Sequence, residues 1–292
     1  MKIAFIGTGV MGHSMAGHLM GAGHELVIST RTKSKAESLL ERGASWADTA
    51  AEAADGMDMA IAIVGMPHDV EEVFLGDAGI LSANTPPPII IDMTTSPPSL
   101  ARRIAEAATA KGVSSIDAPV SGGDIGARNG TLSIMVGGET PAVATAMPIF
   151  ELMGKTIVHQ GPAGSGQHTK MVNQILIAGG MLGMCEGLRY ADAAGLDGGK
   201  VIESVGGGAA GSWSINNLGP RILQGDFEPG FFIEHFLKDL TIAFDEAAAM
   251  DLDLKALAMA RAFYELAVNE GLGRKGTQAL QLLIERDPVA SS

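Results

Sequence analysis

The stretch "GSGQHTKMVNQ", Gly164 to Gln174, sets one lysine and two carboxamides at the mouth of an apolar run that continues as "ILIAGGMLGMC". An ammonium entering such surroundings is costly to bury unless it is paired or neutral. Desolvation lowers the pKa of a lysine in a partly apolar cleft, which brings proton exchange within reach near neutral pH. Hydride delivery to an aldehyde carbon produces an alkoxide, which needs a proton donor at hydrogen-bond distance, and Lys170 is of the right type. On a helix the i+3 and i+4 positions both neighbour residue i, so Asn173 and Gln174 are each placed to orient a substrate.

A second constellation stands at the start of the chain. Gly7 to Gly12 read "GTGVMG", after an apolar strand and at the head of the helical pattern "HSMAGHLMGAGH". That context gives the G-x-G-x-x-G pattern its meaning as a dinucleotide site. Gly7 makes the turn, Gly9 lets a pyrophosphate approach the backbone beside Val10 and Met11, and Gly12 packs helix on strand. The N–H groups of the helix N-terminus then face the phosphates. NAD enzymes commonly add an acid about 20 residues past the glycines to hold the ribose 2′-hydroxyl. Here the second strand ends in Thr30-Arg31-Thr32-Lys33-Ser34-Lys35, without an acid. Three cations and three hydroxyls in so acidic a chain suit a 2′-phosphate, so NADP is the expected cofactor and NAD the less favoured one.

These residues need a scaffold, and the first half of the chain supplies one. Apolar strands are expected at 2–7, 25–30, 57–65, 88–94, 113–120, 132–138 and 156–161, with amphipathic helical stretches such as "SLARRIAEAATAKG" between them. Continuous apolar strands alternating with helices indicate an α/β fold, a Rossmann-type doubly wound parallel sheet covered on both faces. After the breaker Gly161-Pro162 nearly everything has helical period. The expected division is 1–162 for the NADP-binding domain and 163–292 for an all-helical substrate and oligomerisation domain. That second domain opens with a helix of about 30 residues, apolar almost all round and therefore expected to be deeply buried. Apolar helices this extensive favour a homodimer or homotetramer.

Composition narrows the classes. A net charge of -13 argues against nucleic acid or an anionic membrane as the partner, since both demand a basic face. No apolar run is read as reaching the roughly 18 residues that span a bilayer, and glycines interrupt the N-terminal apolar stretch too early for a secretory segment. Cys185 is the single cysteine and sits in a Met/Gly/Leu helix, so it reads as core. A cytoplasmic setting is the default. Neither H-E-x-x-H nor paired C-x-x-C occurs, and no metal site is expected.

"DMTTSPP" (92–98) and "DAPVSGG" (117–123) follow the fourth and fifth strands at their carboxyl ends, where ligands of open α/β sheets bind. Ser121 followed by Gly122 and Gly123 leaves backbone N–H donors beside a hydroxyl, a set that suits a carboxylate. Together with "GTGVMG", "GSGQHTKMVNQ" and "FFIEHFLKDL" (231–240), these segments resemble the β-hydroxyacid dehydrogenases, over the whole length and in that family's order. The resemblance implies reversible hydride transfer between nicotinamide and a small hydroxy acid, semialdehyde or 2-oxo acid, with Lys170 as the catalytic acid/base. It implies that Ser121, Gly122 and Gly123 hold the substrate carboxylate, that Thr95 contacts the nicotinamide ribose, that Met66 and Pro67 line the cofactor cleft, and that Lys238 closes over it. Phe231, with the Gly-rich "GAAGSWS" (208–214), is read as substrate pocket wall. Many members carry an asparagine four residues after the lysine; here that place is Gln174, with Asn173 one residue earlier, and the assignment between the two stays open. The rivals are an imine reductase, a 6-phosphogluconate-type dehydrogenase and a dinucleotide-binding scaffold without turnover. An intact Lys170 disfavours the first and the last, and the helical half looks too short for the second.

Overall fold

The computed structural model describes residues 1–286. Two compact units divide inside the long helix Ser165–Ala193, as Met1–Lys170 and Met171–Ser292, whereas the change of sequence texture falls at 162/163.

The first unit is built on nine strands: β1 (Lys2–Ile6), β2 (Glu25–Ser29), β3 (Ser45–Trp46), β4 (Met59–Ala62), β5 (Ile89–Asp92), β6 (Ser114–Asp117), β7 (Val120–Ser121), β8 (Leu132–Gly138) and β9 (Gly154–Gly161). Their order is β3-β2-β1-β4-β5-β6-β8-β7, with β9 also pairing β8. The first six are parallel, and the chain winds outward from β1 to β3 before returning to β4 on the other side. The switch point therefore lies between β1 and β4, where ligands of such sheets bind. Alternation along β1 shows why both faces are covered. Ile3 and Phe5 enter one apolar cluster, while Ala4 and Ile6 enter the other. Every residue of β4 and β5 is buried, the pattern of a sheet sandwiched between helices.

Two details depart from an all-parallel reading. The strand expected at 113–120 ends at Asp117 and resumes as β7, because Pro119 lies between them and has no N–H for the ladder. β8 then runs antiparallel to both β6 and β7. The connection from β7 to β8, residues 122–131, is shorter than the dozen or so residues a parallel crossover requires.

The second unit is helical. The continuing long helix is followed by Gly198–Gly206, Trp213–Asn217, Gly219–Leu223, Ile233–Ala249 and Lys255–Asn269. Met181, Cys185, Phe236, Leu240 and Tyr264 meet in its core, where the Phe236 and Tyr264 rings pack edge to face at 4.9 Å. The glycine-rich segment before Ser212 forms no helix, and Ser212 Oγ caps the next one by accepting from Ile215 N at 3.1 Å.

The long helix corrects two expectations. Met171, Ala178, Met181, Cys185 and Leu188 are buried, but Val172, Leu176 and Tyr190 are 56%, 72% and 75% exposed. Within this chain the helix buries one face only, because its apolar residues encircle it while its own unit covers a single side. Its 29 residues are also long and apolar enough to cross a membrane by length and composition, with 39% of the apolar window buried.

Candidate active site

At the end of β1, Gly7 adopts φ +96° and its N–H donates to Ser29 O at 2.9 Å. A Cβ there would stand 2.1 Å from Ile63 O, and one at Gly12 would stand 2.1 Å from Gly7 O. Both glycines are thus fixed by close backbone approach. Gly9 differs: nothing lies within 4 Å of its Cβ position, and Val10 beside it is exposed. Met11 is half-buried, and helix Gly12–Gly21 begins with no acid in its first turn. The Thr8 hydroxyl is buried and has no hydrogen-bond partner. An open glycine, an unsatisfied hydroxyl and a helix N-terminus together fit the phosphates of a dinucleotide.

Arg31 follows β2 with its side chain 81% exposed, and its Nη1 lies 3.0 Å from Asp69 Oδ1. Asp69 is itself buried, and its other oxygen accepts from Met66 N at 3.0 Å, which caps the helix Pro67–Leu75. One carboxylate therefore connects Arg31 to the Met66 N–H at the head of that helix. Thr32 is exposed beside Arg31, and Lys33 lies over the Trp46 ring at 4.9 Å.

The ends of β5 and β6 form a buried polar network. Asp92 and Asp117 are register partners on the two strands. Asp92 accepts from Thr94 N at 2.9 Å and from Ser96 Oγ at 3.0 Å. Asp117 accepts from Gly164 N at 2.7 Å and from Gln167 N at 2.8 Å, and so caps the first turn of the long helix. Burial pushes the Asp92 carboxyl up to about 7 and that of Asp117 up to about 6, against the opposing pull of these hydrogen bonds. Thr95 lies between Thr94 and Ser96 and is half-buried. Lys170, on the next turn of the helix, is buried, and its Nζ donates to Val120 O at 2.8 Å. That carbonyl immediately precedes Ser121, Gly122 and Gly123. Gly122 and Gly123 take φ +130° and +62° just beyond the last paired residue of β7, Ser121, and no atom lies within 4 Å of the Gly123 Cβ position. The first unit thus gathers Lys170 and the Ser121–Gly123 turn at one strand end.

In the second unit, Asn173 Nδ2 donates to Gln174 Oε1 at 2.7 Å, and Gln174 Nε2 donates to Asp239 Oδ2 at 2.6 Å. Lys238 Nζ lies 2.7 Å from the other oxygen of Asp239. Phe231 is 38% exposed and packs its ring edge-on against Phe236 at 5.9 Å.

Sequence reasoning assigned no role to Asp69, Asp92, Asp117, Gln167 or Asp239, which all stand in these networks. Asp69 carried a signal, since an acid two residues after Pro67 suits a helix cap. Asp117 and Gln167 lay inside the quoted motifs, but their pairing spans 50 residues and leaves no local trace.

Residues 2–161 match the family described as "NAD binding domain of 6-phosphogluconate dehydrogenase", and residues 164–284 match "NAD-binding of NADP-dependent 3-hydroxyisobutyrate dehydrogenase". The chain is 50% identical over 286 residues to "Probable 3-hydroxyisobutyrate dehydrogenase-like 1, mitochondrial" of Arabidopsis thaliana, covering 98% of this chain and 85% of that one. It is 37% identical over 285 residues to 2-hydroxy-3-oxopropionate reductase of Escherichia coli (strain K12), covering 98% and 97%. The solved structure of Mycobacterium tuberculosis 3-hydroxyisobutyrate dehydrogenase with L-serine superposes with a TM-score of 0.88 at 28% identity, covering 98% of this chain and 99% of that one.

Proposed function

Because the chain belongs to the β-hydroxyacid dehydrogenase family, NAD(P)-binding oxidoreductases that act on the CH–OH group of hydroxy acids, we propose that it transfers hydride reversibly between NADP and a short hydroxy acid, with Lys170 as general acid/base. The observation that carries this reading is the bond from Lys170 Nζ to Val120 O at 2.8 Å, which holds a buried ammonium beside the Ser121–Gly123 turn.

The residues divide the work as follows. The Ser121 hydroxyl and the N–H groups of Gly122 and Gly123 bind the substrate carboxylate, through charge-assisted bonds about twice as strong as neutral ones. With the acid end held, the reacting carbonyl is presented to Lys170. The nicotinamide, when bound, supplies or accepts the hydride. Lys170 Nζ donates a proton to the substrate oxygen as negative charge develops there, and takes it back in the oxidising direction. Asn173 or Gln174 orients the substrate from the same helix, and Phe231 walls the pocket. Gly7, Gly9, Val10, Met11 and Gly12 hold the pyrophosphate, Arg31 and Thr32 the 2′-phosphate, and Met66, Pro67, Thr95 and Lys238 the remainder of the cofactor. We also propose a homodimer or homotetramer, supported by the exposed apolar face at Val172, Leu176 and Tyr190.

Screening short semialdehydes and 2-oxo acids with NADPH and with NADH, by loss of the reduced nicotinamide absorbance, tests the proposal. Turnover of at least one such acid supports it. Cofactor binding without turnover of any of them points instead to a non-catalytic scaffold.

A further inference from the structure

One carboxamide joins the strand end that carries Thr95 to the helix that carries Lys170. Gln167 is fully buried. Its Nε2 donates to Thr94 O at 2.7 Å, and its Oε1 accepts from Ser96 N at 3.0 Å. A side-chain amide thereby pairs with the backbone on both sides of Thr95, as a neighbouring strand would. The backbone N–H of the same residue donates to Asp117 Oδ2, so the helix turn is gripped from β6 as well. Behind Gln167, Asp92 holds Thr94 N and Ser96 Oγ, and the Thr94 hydroxyl accepts from Val64 N at 2.9 Å.

Thr94, Ser96, Asp92 and Asp117 are all buried. Breaking any one of these bonds leaves a buried polar group unsatisfied, which costs more than the bond itself contributes. The arrangement therefore has one geometry rather than a range. Apolar packing alone would let a helix turn slide against a strand end, whereas a donor and an acceptor on one rigid amide fix direction as well as distance. Lys170 stands three residues beyond Gln167, less than one helical turn away. A shift of the Gln167 turn consequently moves the Lys170 ammonium.

Resting on the reading of Lys170 as acid/base, we infer that Gln167 is a positioning residue, whose carboxamide, locked around Thr95, sets where Lys170 stands relative to the strand end assigned to the nicotinamide. It acts through its two neighbours in the network. A displacement of about 1 Å at a reacting group can cost on the order of 10²-fold in rate, so this contact is a lever on turnover.

Two variants and two readouts test the inference. Gln167→Met keeps the length of the side chain and removes both side-chain bonds. Gln167→Glu keeps the acceptor for Ser96 N–H and regains a donor for Thr94 O only when its carboxyl is protonated. The readouts are kcat with KM for NADPH and, in coenzyme-free protein, the pH midpoint for modification of Lys170 by an amine reagent, followed by peptide mass spectrometry. For Gln167→Met, kcat is expected to fall about 10- to 100-fold, with KM for NADPH nearly unchanged and the Lys170 midpoint moved. For Gln167→Glu, kcat relative to wild type is expected to rise as pH is lowered. Lys170→Ala, measured alongside, separates the two claims: if it retains wild-type kcat the acid/base reading fails, and the Lys170 midpoint alone then decides about Gln167. A folded Gln167→Met protein with wild-type kcat and an unmoved midpoint overturns the inference. If that variant does not fold, a Gln167→Glu ratio that is flat with pH overturns it.

Discussion

Gln174 donates to Asp239 at 2.6 Å while accepting from Asn173 at 2.7 Å, so both ends of its amide are engaged within the helical unit. Gln174 is buried, whereas Asn173 is only half-buried. This division separates two amides that the sequence left equivalent. Gln174 braces the Asp239 carboxylate, which leaves Asn173 as the amide we propose for orienting the substrate. Asn173→Ala should lower kcat/KM about 10- to 100-fold through lost orientation, with little change in melting temperature. Gln174→Ala should cost about 1–3 kcal/mol of stability, because Asp239 loses a buried partner. Thermal unfolding and steady-state kinetics on both variants check the division; identical profiles would contradict it.

On the proposed reading, Arg31 should govern the choice of dinucleotide. The wild-type enzyme should favour NADPH over NADH in kcat/KM by at least about tenfold, roughly 1.4 kcal/mol of differential binding. Arg31→Asp should abolish or reverse that preference. Stability should change by less than about 1 kcal/mol, because the Arg31 side of its pair with Asp69 is 81% exposed. Equal use of the two cofactors by the wild type would refute the assignment.

The buried acids set an unusual pH dependence. Burial raises Asp92 and Asp117 to about 7 and about 6, above their ordinary value of 3.8. The folded protein retains protons that the unfolded chain releases as pH passes about 4, so their contribution to stability is fully present below that pH and is lost as pH rises toward 7. Asp92→Asn preserves the shape and removes the titration. Its melting temperature should decline less than that of the wild type across this window. Parallel curves for the two proteins would show that Asp92 does not titrate there.

Substrate choice should turn on the carboxylate. Succinic semialdehyde, glyoxylate or a similar short acid should be reduced far better than an aldehyde of equal size without the acid group, by on the order of 10²-fold. Ser121→Ala should raise KM for the acid and barely alter the neutral analogue. Butyraldehyde turning over as well as succinic semialdehyde would remove the carboxylate role from Ser121, Gly122 and Gly123.

The sequence discloses what is local. "GTGVMG" announced a turn, and the structure gives Gly7 a positive φ and Gly12 a contact that only glycine tolerates. Most strands of the first unit were visible as apolar runs between breakers, but the two-residue β3, Ser45–Trp46, leaves too short a run to show. The antiparallel direction of β8 was not visible, since strand direction depends on the length and path of a connection rather than on periodicity. The exposed face of the long helix was equally hidden: an apolar sequence states that a face avoids water, not which chain covers it. Cross-braces such as Gln167 with Ser96, 71 residues apart, exist only after folding brings the two strand ends to the helix.

Lys170→Ala, assayed for kcat with a short semialdehyde acid and for NADPH affinity by nicotinamide fluorescence, tests the acid/base role most directly. Removing the proton donor should lower kcat by about 10²–10⁴-fold while leaving NADPH affinity nearly intact. Retention of wild-type kcat would make Lys170 a structural residue held by Val120 and would contradict the mechanism.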